Sequence, residues 1–173
     1  HRQQDFAVDR GHVATTAGTA NLALVKSLGA DVVVDYRTQD FETVLRDHDL
    51  VLNSQEGSAL EKSLRVLKPG GKLISSSGPP DPAFGREIGA SAFLKLMMRV
   101  LSAGVRRKAK ARGVDYEFLF MKPSGSQLCE IARLVDAGAI RPVIDQVFPF
   151  SATNEALAHV DSGRAKGKVV IRV

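Results

Sequence analysis

Cysteine is nearly absent from this chain: Cys129 stands alone, beside only four histidines. A lone cysteine cannot form an internal disulfide or a multi-cysteine zinc site. The sequence therefore predicts no metal site. A chain that makes no use of disulfides is typical of a reducing compartment, so we expect a cytoplasmic protein.

Long hydrophobic runs are also missing. No stretch of about 18 consecutive apolar residues occurs, and a membrane-spanning helix needs about that length. The first ten residues, HRQQDFAVDR, contain no apolar stretch of the kind that a signal peptide carries. From these absences we expect no membrane partner.

Acidic residues are missing from one stretch, although the whole chain has a net charge of only +5. Between Ile88 and Val114 there is no acid, and the cations there are Lys95, Arg99, Arg106, Arg107, Lys108, Lys110 and Arg112. A basic stripe of this kind fits a nucleic-acid-binding module, but it is more often the solvated face and C-terminal end of a helix. Aromatic residues do not interleave with these cations, which favours the solvated helix.

A glycine-rich phosphate-binding turn is missing too. Dinucleotide sites normally open with a strand, the pattern Gly-x-Gly-x-x-Gly and a helix, so that backbone N–H groups reach the pyrophosphate. The chain has no such pattern, and its one glycine pair, Gly70–Gly71, precedes a strand. The sequence therefore predicts an incomplete nucleotide-binding fold.

Short apolar runs and helical periodicities alternate along the chain, which is typical of an α/β protein with a doubly wound parallel sheet. Strands are predicted at 12–16, 31–34, 49–53, 72–77, 114–121, 142–148 and 168–173. Helices are predicted at 19–28, 38–46, 58–67, 87–110, 124–137 and 154–160. A turn is predicted at 68–71, and a short helix at 4–8, with an antiparallel hairpin as its alternative.

In such sheets ligands bind beyond the carboxyl ends of the strands. Hydroxyl groups and a glycine follow the first predicted strand, where an NAD-binding site usually has an acid. A 2′-phosphate fits there better than beside a carboxylate, with Tyr36 stacking on adenine or reaching the ribose and Arg37 or Lys26 pairing with the phosphate. NADP is then the expected cofactor. The alternative is that Tyr36 simply ends a strand.

Four segments carry a family resemblance: HVATTAGTANLALVKSLGADVVVDYRTQDF, SLRVLKPGGKLISSSG, YEFLFMKPSG and SGRAKGKVVIRV. In this order and spacing the chain resembles the C-terminal part of the medium-chain dehydrogenase/reductase superfamily. The branch is the zinc-free, quinone-oxidoreductase-like one, which includes NADPH-dependent enone reductases. The resemblance implies a Rossmann-type cofactor domain that lacks its first strand and glycine-rich loop.

The resemblance also implies roles for residues at the strand ends. The adenosine end of the cofactor, including the 2′-phosphate pocket, would be lined by Thr15, Thr16, Gly18, Asn21 and Tyr36. The next strand ends would contribute Asn53, Ser54, Ser76, Ser77 and Gly78. The nicotinamide would be flanked by Leu119, Phe120 and Met121, and Arg164 lies where the family has a C-terminal basic contact. No catalytic residue is assigned.

What the resemblance implies for function is an NADPH-dependent oxidoreductase that transfers hydride to a quinone or an activated alkene or carbonyl. Residues 1–140 would form the truncated cofactor domain, and 141–173 would pack on a GroES-like catalytic domain, which the chain lacks. We therefore expect the chain alone to be inactive. The alternative is a non-catalytic remnant, or a subunit that forms a homodimer or binds a partner supplying the missing strand. Gln55 and Glu56 also depart from the family, which usually has a glycine pair there.

Overall fold

The computed structural model describes residues 11–173, which form two compact units, 11–121 and 122–173. The predicted helix at 4–8 lies outside the described residues. The predicted boundary at 140/141 concerns packing on another domain and stays a prediction.

Five parallel strands build the first unit. They are β1 (Ala14–Ala17), β2 (Val32–Asp35), β3 (His48–Asn53), β4 (Leu67–Ser75) and β5 (Asp115–Phe118). β1 pairs with β2, and a separate sheet has the order β3-β4-β5. The pairing is parallel throughout, as the alternating pattern predicted.

The connections between these strands are helical. After β1 come a 3₁₀ turn at Thr19–Asn21 and α1 (Leu22–Ser27), followed by α2 (Phe41–Val44), α3 (Ser58–Arg65), α4 (Pro82–Glu87), α5 (Ala92–Leu101) and α6 (Ala103–Ala111). Two apolar clusters join helices to strands. One contains Leu60, Leu64, Leu67, Leu73, Ala109 and Val114, and the other Val34, Leu45 and Val66.

The single helix predicted at 87–110 was wrong, because α4 ends at Glu87 and two separate helices, α5 and α6, cover the rest of this stretch. Gly89 has φ of +64°, the left-handed conformation that ends a helix, and it follows α4 directly. Ser91 then caps α5 by accepting the Leu94 N–H at 3.3 Å. Ser102 separates α5 from α6, and its hydroxyl donates to the Met98 carbonyl at 2.7 Å.

The turn predicted at 68–71 is a bulge inside β4 rather than a break before it. His48 of β3 pairs with Leu67, whereas Leu50 pairs with Lys72, so four residues of β4 have no counterpart in the register. Gly70 adopts a φ of +84° within this bulge, which a residue with a Cβ adopts only with strain. β4 continues after the bulge, and its Leu73 side chain is fully buried there.

The second unit contains α7 (Gly125–Asp136), β6 (Ile144–Pro149), a 3₁₀ turn at Phe150–Ala152, α8 (Thr153–Asp161) and β7 (Lys168–Arg172). β6 and β7 form a parallel pair, and α8 connects them. The His159 Nε2 atom lies 2.7 Å from an Asp145 carboxylate oxygen, which fastens α8 to β6. Within 11–173, no helix combines the length and the apolar character needed to cross a bilayer.

The Asp145–His159 contact should make the stability of the second unit depend on pH. The hydrogen bond from His159 lowers the pKa of Asp145 below its ordinary 3.8, with a smaller contribution from the Lys166 backbone. A carboxyl group whose pKa is lowered by folding stabilises the folded state at pH values above its ordinary pKa. This stabilisation is lost as the pH falls through the lowered pKa. We expect Asp145→Asn to lower the unfolding midpoint at pH 7 and to match the wild type at the acid end. Denaturant melts from pH 7 to pH 2 measure this. A difference that stays constant with pH would contradict it.

Candidate functional site

The ends of β1 and β2 bring together Gly18, Tyr36 and Arg37. The Tyr36 N–H donates to the Ala17 carbonyl at 3.2 Å, so the tyrosine stands directly across from Gly18. A Cβ built on Gly18 would lie 3.1 Å from the Tyr36 hydroxyl and 3.5 Å from the Arg37 Nε. A phenol and a guanidinium therefore lie over the glycine, and both side chains are exposed to solvent. We call Gly18, Tyr36 and Arg37 the adenosine shelf, after the ligand that the sequence predicts at these strand ends.

A carboxylate lies beside this shelf, and sequence reasoning did not assign it. Asp35 accepts a hydrogen bond from the Thr19 hydroxyl at 2.6 Å and one from the Arg37 N–H at 3.0 Å. These two bonds lower the pKa of Asp35, the one from Thr19 more, so it is ionised at neutral pH. Ala17 pairs with Asp35, so this carboxylate lies at the sheet edge where both strands end. The sequence signal for Asp35 was its position directly after the predicted strand 31–34.

The other residues predicted for the adenosine end occupy the same region of the chain. Thr15 and Thr16 are in β1, and Asn21 ends the 3₁₀ turn that follows. The Asn21 Oδ1 atom is buried and has no hydrogen-bond partner among residues 11–173. A buried acceptor without a partner costs free energy unless a ligand or water satisfies it.

The ends of β3 and β4 are joined through buried polar side chains. Asn53 donates to the Ser63 hydroxyl at 3.2 Å, and its Oδ1 accepts from the Gln55 N–H at 3.0 Å and the Ser75 hydroxyl at 3.4 Å. The Ser75 hydroxyl in turn accepts the Gly78 N–H at 2.9 Å. Both the nitrogen and the oxygen of the Asn53 side-chain amide are thus hydrogen-bonded within the protein.

Three more predicted residues follow these strands. Ser54 and Ser76 are exposed, and the Ser76 N–H donates to the Asn53 carbonyl at 3.0 Å. The Ser77 hydroxyl is buried, and within the described part of the chain it has no hydrogen-bond partner. It is the second such orphan in the first unit, and it too falls on a residue predicted to line the cofactor.

The end of β5 is apolar. Its backbone continues alongside β4, because the Leu119 N–H donates to the Ser75 carbonyl at 2.9 Å. Leu119, Phe120 and Met121 are exposed. The Phe120 ring lies 5.4 Å from that of Phe84, which packs edge-on against Phe118 at 5.2 Å.

Asp81 and Tyr116 fix the loop between β4 and α4. The buried Asp81 carboxylate accepts the Phe84 N–H at 2.8 Å and the Phe118 N–H at 3.4 Å. The Tyr116 hydroxyl donates to the Pro79 carbonyl at 2.8 Å. Burial, with a smaller effect of the Asp81 charge, raises the pKa of Tyr116 to about 12, so the phenol remains a donor at neutral pH.

Arg164 is in the second unit, exposed, just after α8. Its N–H donates to the Ser162 hydroxyl at 3.3 Å. As for metals, residues 11–173 contain no group of three or more His, Cys, Asp or Glu side chains placed to hold an ion. The described residues therefore do not fit a zinc site.

Comparison with known proteins identifies the family and the fold. A family model described as zinc-binding dehydrogenase matches residues 28–171. The chain is 36% identical over 167 residues to NAD(P)H oxidoreductase RTN4IP1, mitochondrial, of Danio rerio, covering 94% of the chain and 43% of that protein. It is 33% identical to the chloroplastic quinone-oxidoreductase QR1 of Triphysaria versicolor, covering 92% of the chain and 44% of that protein. The cytoplasmic location stays a prediction, since one of these relatives is mitochondrial and the other chloroplastic.

Solved structures show the same fold. The quinone oxidoreductase from Coxiella burnetii superposes with a TM-score of 0.67 at 24% identity, covering 93% of this chain and 44% of that one. At this identity the likeness concerns the fold alone. The chain spans less than half the length of the curated relatives just named. With the family model matching most of its residues, the chain belongs to the zinc-binding dehydrogenase family of the medium-chain dehydrogenase/reductase superfamily.

Proposed function

We propose that this chain is the cofactor-binding part of an NADPH-dependent oxidoreductase whose substrate is a quinone or an activated alkene or carbonyl. The adenosine shelf is the observation that carries the proposal. A guanidinium and a phenol over a glycine form a donor surface suited to a phosphate on the ribose, and arginine binds phosphate through several N–H groups at once. The Asp35 carboxylate beside the shelf opposes an anion there, and it is engaged by hydrogen bonds from the Thr19 hydroxyl and the Arg37 N–H.

The residues present fit the cofactor at two further points. The orphaned Asn21 Oδ1 can accept a hydrogen bond, and the orphaned Ser77 hydroxyl can donate or accept one. Both atoms are on residues predicted to line the dinucleotide. The Gly78 N–H donates to the Ser75 hydroxyl, and because Gly78 has no side chain, a ligand can approach the backbone after β4 closely.

In this proposal the chain binds and orients and has no assigned proton donor. The cofactor supplies a hydride when bound. Arg37 and Tyr36 hold its adenosine end, Ser77 contacts its middle, and the exposed Leu119, Phe120 and Met121 form an apolar surface that excludes water from the nicotinamide. The names of relatives support a nicotinamide cofactor. One, the NADPH-dependent alkenal/one oxidoreductase of Arabidopsis thaliana, is 27% identical over 161 residues, covering 92% of this chain and 33% of that protein.

Thermal unfolding with small fragments of the cofactor tests the proposal. We expect 2′,5′-ADP and NADPH to raise the unfolding midpoint, by about 5–10 °C at a hundredfold excess over Kd, because only the folded state binds them. 5′-AMP and NADH should have a much smaller effect. Equal shifts from NADPH and NADH would contradict NADP selectivity, and no shift from any of them would overturn the proposed function.

The alternative is that the chain is a remnant or a subunit with a strand-donating partner. Within residues 11–121, β1 pairs only with β2 and β3 only with β4, so each has one unpaired edge. A cooperative melt without any ligand shift, together with a stable complex of higher mass in native mass spectrometry, would favour this alternative.

A further inference from the structure

The helix α5 presents most of its apolar side chains to solvent. Phe93, Leu96, Met97 and Val100 follow the i, i+3, i+4, i+7 spacing of one helix face, and Phe93 and Val100 are 72% and 66% exposed. Met98, on the other side, is the only residue of α5 that is buried. The helix is therefore held by a narrow contact and leaves its broad apolar face uncovered.

The next helix, α6, presents cations. Val105 and Ala109 fix α6 to the core of the first unit, and Lys108 pairs with Glu61. Arg106 and Arg107 are exposed and form no ion pair with any of residues 11–173. No acid occurs from 88 to 114, so nothing on either helix neutralises them.

The two surfaces follow one another along nearly the same helical path. Ser102 between them keeps right-handed helical dihedrals, with φ of −85° and ψ of −4°. Residues seven positions apart lie on one face of a helix, and Arg107 follows Val100 by seven, as Val100 follows Phe93. The cations therefore continue and flank the apolar stripe.

We propose that α5 and α6 dock on the surface of an anionic lipid bilayer. The apolar stripe of α5, which is Phe93, Leu96, Met97 and Val100, would lie between the headgroups. The α6 cations Arg106 and Arg107 would lie on lipid phosphates. An apolar face with Phe and Leu bordered by Lys and Arg is the composition of a helix lying in a membrane interface. The absence of a spanning run, on which the expectation of no membrane partner rested, does not bear on a helix that lies flat.

The charge distribution favours lipid over a second copy of this chain or a nucleic acid. A second copy meeting this face about a two-fold axis would place like charges together, since neither helix carries an acid. A nucleic acid would use the cations and leave Phe93, Leu96 and Val100 without a partner. An anionic bilayer satisfies both the charge and the apolar stripe, and a polybasic surface gains about 1 kcal/mol per cation near it.

Tryptophan fluorescence tests the docking directly, because the sequence contains no tryptophan. Phe93→Trp should show a blue-shifted emission with phosphatidylcholine vesicles containing a quarter phosphatidylglycerol, and quenching when the lipid is brominated. Pure phosphatidylcholine should give little change. Phe150→Trp is the matched control, since Phe150 is 67% exposed in the second unit and should remain unquenched.

Sedimentation with the same vesicles separates the contribution of the α6 cations from that of the apolar side chains of α5. Replacing both Arg106 and Arg107 by Gln should weaken partitioning by about 10- to 30-fold, and 0.5 M salt should act in the same direction. Val100→Asp should abolish binding, whereas Leu128→Asp, at a site of equal 66% exposure on α7, should not. All variants should melt like the wild type.

Three results would overturn the proposal. The first is no sedimentation of the wild type with anionic vesicles at low salt. The second is a concentration-dependent dimer by ultracentrifugation that Val100→Asp abolishes, with Phe93→Trp unquenched by lipid. The third is duplex DNA binding that survives Val100→Asp and displaces the protein from vesicles.

Discussion

Replacing Gly78 by alanine should lower the free energy of unfolding by about 2–3 kcal/mol, the upper range for overpacking. A Cβ at this position would fall inside contact distance of the Tyr116 hydroxyl and 2.9 Å from the Ser75 Oγ. Tyr116 cannot move away freely, because its hydroxyl is bonded to the Pro79 carbonyl. The change therefore strains the joint between the ends of β4 and β5, and urea unfolding measures the cost.

The Tyr116→Phe background makes this prediction specific. Phenylalanine lacks the oxygen that the new Cβ would meet, so Gly78→Ala should cost less in that background, and the two changes should be non-additive by about 1 kcal/mol. Gly104→Ala is the control, since its Cβ would meet nothing within 4 Å and alanine favours the helix. Additive costs at Gly78 and Tyr116 would show that the strain lies elsewhere.

Much of the fold was predictable because its signals are local. Runs of four to eight residues between helical patterns correctly indicated seven parallel strands. The helix at 87–110 was mispredicted because apolar periodicity continues across Gly89 and Ser102. Gly89 adopts a φ of +64°, and the Ser102 hydroxyl donates to the Met98 carbonyl. Both features are local helix-ending signals that apolar periodicity alone does not reveal.

The placement of the candidate site residues at the strand ends was predictable in part, and their role in binding stays a prediction. Strand ends gather at one edge of a parallel sheet, so Gly18 and Tyr36 were expected near each other, and the structure places them in contact. What sequence reasoning missed are residues that act through partners distant in the chain. Asp35 matters because of Thr19, and Ser75 because of Asn53 and Gly78. Neither pairing has a pattern within a short window.

The charge of Arg37 should decide whether the adenosine shelf selects a 2′-phosphate. Arg37→Gln should weaken 2′,5′-ADP binding by about 10- to 100-fold, because a hydrogen bond to a charged group contributes about 1.5–3 kcal/mol. 5′-AMP binding should change by less than about twofold. Isothermal titration with the two nucleotides measures both numbers on one variant. Arg37→Lys should recover part of the loss by restoring the charge without the planar fork.

Lys26→Gln is the decisive control, because the sequence left Arg37 and Lys26 as equal candidates for the phosphate. The structure separates them. The Arg37 Nε lies against Gly18, whereas Lys26 lines a different cavity with Leu22, Asp31 and Val33. The Lys26 variant should therefore bind 2′,5′-ADP nearly as the wild type does. If instead Lys26→Gln lost the nucleotide and Arg37→Gln kept it, the phosphate would bind on the α1 side of β2, and the adenosine shelf would have no role in selecting the cofactor.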